Sequence, residues 1–132
     1  ASAMHYPCDY GYINETLSED GDPLDVLVLS PLPLNRGCVV RCRPIAMLNM
    51  TDEAGVDCKV LAVPIEKLTS LYNNLQDVSD VPDTLLKKIG HFFTHYKDLE
   101  EGKWVTLNGW VNAEAAKTEI LKSIERYLLL PK

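Results

Sequence analysis

Apolar and polar positions follow two rhythms along this chain. Through the first half they come in short, near-alternating runs closed by turn residues. Tyr10-Gly-Tyr-Ile13 is a brief aromatic run, Leu24 to Leu29 an apolar one closed by Ser30-Pro31-Leu-Pro33, and Lys59 to Val63 another that stops at Pro64. Val39 to Met50 alternates long enough to span two sheets or bend round a barrel. Asp20-Gly21, Asn35-Arg-Gly37 and Ala54-Gly55 supply turns between them, and short strands at such spacing predict an antiparallel barrel or sandwich. In the second half the period lengthens. Leu85, Ile89, Phe92, Tyr96 and Leu99 fall within about 80° of one another at 100° per residue, which predicts a helix. Pro82 stands where a first-turn proline belongs and Gly102 follows the end. Lys103 to Trp110 alternates again like a strand. Asn112 can cap a last helix, with Glu114 in its first turn and Ile120, Leu121, Ile124 and Leu128 as its apolar face. Strands followed by two helices make an α+β fold, and 132 residues suit one domain.

Charge changes the picture by its location. Nineteen acids against 13 Lys and Arg give −6. Six of those acids (Asp9, Glu15, Glu19, Asp20, Asp22 and Asp25) lie in the first 25 residues, which hold no Lys or Arg; the remaining 107 residues balance. The whole net charge therefore sits in one segment, which reads as a solvated loop or a cation site. No basic stripe is visible, so nucleic acid is not an expected partner. No apolar run approaches 18 residues, so neither is a membrane. Ala1 to Asp9 has no basic or apolar leader, so no signal peptide is expected. Four cysteines (Cys8, Cys38, Cys42 and Cys58) occur without a CxxC. They read as buried reduced thiols rather than a disulfide framework, and imply a reducing cytoplasm.

The candidate chemistry begins at Asp20-Gly-Asp-Pro-Leu-Asp25, where Gly21 allows a tight turn and Pro23 stiffens it. Asp25 then enters a strand on the face shared by Leu27 and Leu29, an odd position for a carboxylate without a partner. An EF-hand counted from Asp20 fails at Leu24, Asp25 and Pro31. Thr51 to Lys59 reads as a hairpin turning at Ala54-Gly55, with Asp52 and Asp57 facing each other across it. Asp57 and Lys59, two apart, share a face and could be a plain surface pair. If both acidic clusters meet at one barrel mouth, Asp20, Asp22, Asp25, Asp52 and Asp57 converge. Each like-charge pair at about 4 Å would then cost ~1–4 kcal/mol. Bound cations relieve that, and all-oxygen ligation favours Mg²⁺ or Mn²⁺ over Zn²⁺. His91 and His95 are spaced to share a zinc, but Phe92 stands where the zincin motif needs Glu. With Asp98 beside them they read instead as a partly exposed face suited to subunit contact. Tyr96 falls on the core side with a wet hydroxyl and precedes Lys97; Tyr6 and Tyr10 precede the acidic loop.

The ordered motifs are Tyr6-Pro-Cys-Asp-Tyr-Gly-Tyr12, Asp20-Gly-Asp-Pro-Leu-Asp25-Val, Arg41-Cys-Arg-Pro44, Met50-Thr-Asp-Glu-Ala-Gly-Val-Asp-Cys-Lys59, Ala62-Val-Pro64, His91-Phe-Phe-Thr-His-Tyr-Lys-Asp-Leu-Glu100 and Gly102-Lys-Trp-Val105. On these the chain resembles the bacterial type of family I soluble inorganic pyrophosphatases, over essentially its whole length. The resemblance implies a small OB-like antiparallel β-barrel with two flanking helices. It implies hydrolysis of pyrophosphate to two phosphates with several Mg²⁺ ions, Mn²⁺ being a substitute, and a homo-oligomer, the hexamer. By motif, Asp20, Asp22, Asp25 and Asp57 would face metals, with Asp52 at a further one. Asp22 would accept a proton from the attacking water. Lys59, Tyr96 and Lys97 would hold phosphate oxygens, Tyr10 would lie on the substrate, and Tyr6 near it. Members of this type run longer at the N-terminus, so residues 1–132 are expected to be one domain that opens inside the fold, short of some cationic site residues. Two rivals stand beside this reading. A metal-dependent phosphohydrolase of nucleotides would want base-specific groups near the metals. A non-catalytic OB-like binding module would want basic grooves and stacking aromatics.

Overall fold

The computed structural model describes residues 8–96 and 100–131. Strands β1 (Asp9–Tyr12), β2 (Asp25–Val28), β3 (Cys42–Asp52), β4 (Gly55–Val56) and β5 (Lys59–Pro64) come first. A 3₁₀ turn at Val78–Asp80, helix α1 (Asp83–His95), strand β6 (Val105–Asn112) and helix α2 (Ala113–Leu128) follow. The α+β class and the order of the elements are as the pattern predicts.

One sheet carries everything else. Its path runs β1–β2–β5–β3, with β4 on the end of β3 and β6 along the other side of β3. It departs from the expected antiparallel barrel in two ways. Strands β2 and β5 pair in parallel, Asp25 opposite Lys59, because the chain passes through β3 and its hairpin before returning beside β2. And among the described residues the sheet does not close. Strand β3 supplies the curvature: its pairing slips between Pro44 and Ala46 against β5 and between Asn49 and Met50 against β6, and such bulges bend a strand. It starts at Cys42 rather than Val39, since its partner strand ends in Pro64, which has no N–H to extend the ladder.

Alternation along β2 and β5 feeds two cores. Leu27, Leu29, Leu61 and Val63 join Leu48, Ile89 and Phe93 under α1. Val26, Val28, Val60 and Ala62 join Leu24, Met47 and Ala116 under α2. Strand β5, buried at all six positions, is the shared wall. The face that α1 presents is turned from the expected stripe: Ile89, Gly90 and Phe93 are its buried residues, while Tyr96 is 41% exposed. The reason is close approach at Gly90, where an added Cβ would stand 3.2 Å from Leu107 Cδ1; a missing side chain there lets β6 in. Helix α2 starts as expected, the Asn112 side chain accepting from the Ala115 N–H. Its expected apolar face is only half used, since Leu121 and Leu128 are exposed and Ala113, Ala116 and Ser123 are the buried positions. No helix among the described residues is long and apolar enough to cross a membrane.

Candidate active site

The parallel pairing of β2 and β5 puts Asp25 directly opposite Lys59, and pleating turns both toward the α1 core, in line with Leu27 and Leu61. Lys59 is 3% exposed, yet a buried ammonium needs partners. It finds three. Its Nζ lies 2.6 Å from Asp25 Oδ2 and 3.1 Å from Asp57 Oδ2, and it donates to the Tyr10 hydroxyl at 3.1 Å. Two rings flank it, with centroids 5.3 Å away for Tyr10 and 5.4 Å for Phe93. Asp57 and Lys59 thus share a face, as their spacing predicts, but the pair is buried, not a surface one.

These neighbours shift one another. Burial works against the Lys59 charge, but the Asp25 hydrogen bond and charge, joined by Asp57, outweigh it and hold the ammonium well above its ordinary range. Burial raises the Asp57 carboxyl; Lys59 pulls it down, and the charges of Asp25 and Asp52 push it up. Tyr10 is 53% exposed, but desolvation where its hydroxyl meets the cluster dominates and pushes the phenol up to about 12, against the pull of Lys59. One cation is therefore shared by more than one carboxylate.

The five acids do not all converge. Asp25 and Asp57 meet on Lys59. Asp52 is buried near Asp57, but its strand partner is Gly55 rather than Asp57, and its Oδ1 accepts from the Ala54 N–H at 2.8 Å. Asp20 and Asp22 sit in a turn before β2: Asp20 Oδ1 accepts from the Asp22 N–H at 3.0 Å, with Gly21 at φ +91° making the bend only a glycine takes easily. Asp22 itself is exposed. For Asp20 and Asp52 the divergence has a local cause, since each of these carboxylates is turned onto a backbone N–H of its own turn. Among the described residues no three His, Cys, Asp or Glu side chains close round a single point. The donor set is nonetheless all carboxylate, the chemistry of a hard divalent cation.

Tyr96 ends α1 with its ring against Phe92 and Phe93, at centroid distances of 6.0 and 5.5 Å, so Phe93 links it to the floor under Lys59. Tyr6, Lys97 and Asp98 lie outside the described residues. His91 and His95 are exposed on α1 with ring centroids 4.5 Å apart.

Comparison with known proteins bears on this arrangement. The family model for inorganic pyrophosphatases matches residues 1–128. The inorganic pyrophosphatase of Escherichia coli K12 is 61% identical over 126 residues, which are 96% of this chain and 72% of that protein. The chain belongs to the inorganic pyrophosphatase family. The relative from Vibrio parahaemolyticus is 57% identical over the same share. Among solved structures, the inorganic pyrophosphatase of Coxiella burnetii superposes with a TM-score of 0.92 at 49% identity, and that of Helicobacter pylori with 0.93 at 43%. Each match covers 96% of this chain and 75% of the other.

Within this pyrophosphatase fold, two residues escaped the sequence reading. Phe93 forms the floor beneath Lys59; its position next to Phe92 was the only signal, and the stripe favoured the neighbour. Glu53, beside Asp52, accepts from the Trp104 N–H at 3.2 Å and lies 3.9 Å from Lys103 Nζ, tying the β3–β4 hairpin to the start of β6. Its pairing is long-range, so no local pattern reveals it.

Proposed function

We propose that this chain hydrolyses inorganic pyrophosphate to two phosphates, using divalent cations of which Mg²⁺ is the first choice and Mn²⁺ the substitute. The observation that carries the reading is the Asp25–Lys59–Asp57–Tyr10 cluster, a fixed cation among carboxylates at the sheet end where the acidic turn arrives. Asp20, Asp25 and Asp57 would hold the cations, with Asp22 beside them and Asp52 serving a further one. Such a cation, when bound, neutralises phosphate charge and acidifies a coordinated water.

The chain's own groups do the rest. Pyrophosphate is densely anionic and repels incoming water, so catalysis is mostly positioning and charge stabilisation. Lys59 donates to a phosphate oxygen from a site already desolvated, where a charge interaction is stronger than in water. Tyr96 and Lys97 hold further oxygens, Tyr10 lies alongside the substrate, and Tyr6 near it. Asp22 is exposed at the mouth and takes the proton of the attacking water. Its bound turn geometry survives Asp22→Asn, so that variant should lose kcat far more than cation affinity.

The proposed setting is the cytoplasm, which suits four cysteines none of which is in a disulfide. The proposed assembly is a hexamer, with the exposed His91 and His95 face of α1, and Asp98 after it, as a contact. Light scattering of wild type and His91→Glu tests this: an unchanged mass in the variant sets the face aside.

The decisive assay is phosphate release from pyrophosphate with and without Mg²⁺, with ATP as the control. Release from pyrophosphate that requires the metal supports the reading. Preference for ATP would favour a nucleotide phosphohydrolase, and no release from either substrate would favour a binding module.

A further inference from the structure

The acidic turn is held from a direction that the proposed reaction does not use. Its neck is closed beside β2: Ile13 N–H donates to Leu24 O at 2.9 Å and Leu24 N–H to Thr16 Oγ1 at 3.0 Å. Its tip is closed on itself, since the Ser18 N–H and hydroxyl both donate to Asp22 O, at 2.7 and 3.1 Å. Between neck and tip lies Leu17, and both of its backbone groups belong to helix α2. The Leu17 N–H donates to Ser123 O at 2.9 Å. The Leu17 carbonyl accepts from Arg126 Nη1 at 3.2 Å.

The helix side of this contact is a prepared cluster. Arg126 Nη1 also reaches Glu119 Oε2 at 3.0 Å and Ser123 Oγ at 3.4 Å. Ser123 Oγ donates to the same carboxylate oxygen at 3.2 Å. Glu119, Ser123 and Arg126 stand one helical turn apart, on one face of α2. Ser123 is fully buried, and Glu119 and Arg126 keep 15% and 30% of their side chains exposed. Glu119 thus fixes the guanidinium, and the guanidinium fixes Leu17. A surface ion pair would contribute little here; this one is aimed at a backbone carbonyl on the far side of the chain, 109 residues away in sequence.

We infer that Glu119, Ser123 and Arg126 are positioning residues for the acidic turn: by clamping Leu17 they set where Asp20 and Asp22 stand relative to Asp25. None of the three touches substrate or metal in the proposed reaction. They act as outer partners do for ligands, fixing the orientation of the segment that carries the carboxylates. The neck bonds at Thr16 fix only where the turn begins. Without the clamp, the segment from Leu17 to Pro23 is anchored at its ends and can tilt as a unit. The catalytic consequence rests on the proposed function; the ordering of the turn does not.

The test separates the two. In the metal-free protein, hydrogen exchange of peptides across Leu17–Leu24 should speed up by roughly tenfold or more in Arg126→Met, while the β3 and β5 peptides are unchanged, as for a local opening. The Mg²⁺ concentration for half-maximal phosphate release should rise by about 10–100-fold, the usual cost of losing an outer partner. Arg126→Lys should recover part of both effects. Asn112→Ala is the control, since it weakens the same helix through its cap and leaves the clamp intact; it should lower stability without moving the Mg²⁺ requirement. If Arg126→Met does not fold, Glu119→Gln frees the guanidinium by a milder route and takes the same two readings. Unchanged exchange across Leu17–Leu24 overturns the inference. So does a shift in Mg²⁺ requirement that Asn112→Ala reproduces at equal loss of stability. A wild type that releases no phosphate overturns the proposed function alone, and the exchange result still decides the clamp.

Discussion

Lys59→Met removes the cation at the centre of the cluster while keeping most of the side chain's bulk. It leaves Asp25 and Asp57, which lay 2.6 and 3.1 Å from the ammonium, facing each other with no buried counter-charge. Removing one partner of a buried pair costs roughly 3–5 kcal/mol, a large part of the ~5–15 kcal/mol that holds a domain together. At about 2.1 cal/mol/K per residue over 132 residues, unfolding entropy is near 0.28 kcal/mol/K, so the melting temperature should fall by ~11–18 °C. Two further readings isolate electrostatics from packing. Adding Asp25→Asn to Lys59→Met should return part of the loss, a coupling of ~0.5–3 kcal/mol in a double-mutant cycle. And since the lysine and a divalent cation claim the same carboxylate oxygens, Mg²⁺ should raise the melting temperature more in Lys59→Met than in wild type. At a hundredfold excess over the dissociation constant that gain is about 2.7 kcal/mol. Thermal melts by circular dichroism, with EDTA and with millimolar Mg²⁺, supply all the numbers. A fall of only a few degrees, or an identical Mg²⁺ effect in both proteins, would refute the picture of one buried cation shared by competing acids.

Three other outcomes are expected. Phe93→Ala, which empties the floor under Lys59 and opens the α1 core, should cost about 3–5 kcal/mol in urea unfolding; under 1 kcal/mol would mean that the site does not rest on it. Asp77 accepts from the N–H groups of Ala113 and Val78, and those bonds, the Ala113 one first, hold its carboxyl below the ordinary 3.8. A depressed pKa stabilises the fold above the unfolded value and loses that contribution as pH falls through the folded one. Asp77→Ala should therefore be less stable than wild type at pH 6 and approach it below pH 3.8; a constant gap in acid melts would contradict the assignment. Burial, with the charge of Asp9 second, pushes the Cys8 thiol up to about 12, so it stays protonated at pH 8. Mass-spectrometric mapping should find alkylation first at exposed Cys38, and at Cys8 only when urea unfolds the chain.

Much of the fold was legible because its cues are local. Turn residues at Gly21 and Gly55, the break at Pro64 and the cap at Asn112 all act where they stand. The parallel pairing of β2 with β5 was not legible, for the reason that alternation reports which face a residue occupies and not which strand lies beside it. The turned face of α1 escaped because its cause, the missing side chain at Gly90, matters only once Leu107 is opposite. At the site, the shared face of Asp57 and Lys59 followed from period two, and the tension at Asp25 followed from a carboxylate in an apolar run. What the sequence could not show was that the resolution is a lysine from 34 residues away. Nor could it show that Asp20 turns onto the backbone of its own loop and Asp22 stays exposed instead of joining the centre, since convergence of two loops is set by tertiary contacts.

The register of β2 on β5 also has a kinetic meaning. Asp25 and Lys59 are joined across a loop that must close before any contact repays it, and parallel pairings of this kind form slowly. The hairpins β1–β2 and β3–β4–β5 each hold part of the cluster, Tyr10 with Asp25 in one and Asp57 with Lys59 in the other, and neither contains the whole of it. A refolding chain therefore acquires its acidic centre in the same event that completes the sheet. Ensembles with either hairpin but not both would keep Asp25 and Tyr10 away from Lys59, leaving the ammonium only its neighbour Asp57. In a refolding time course, contact of the Tyr10 ring with Lys59 should appear with the slow phase, after most strand signal has returned.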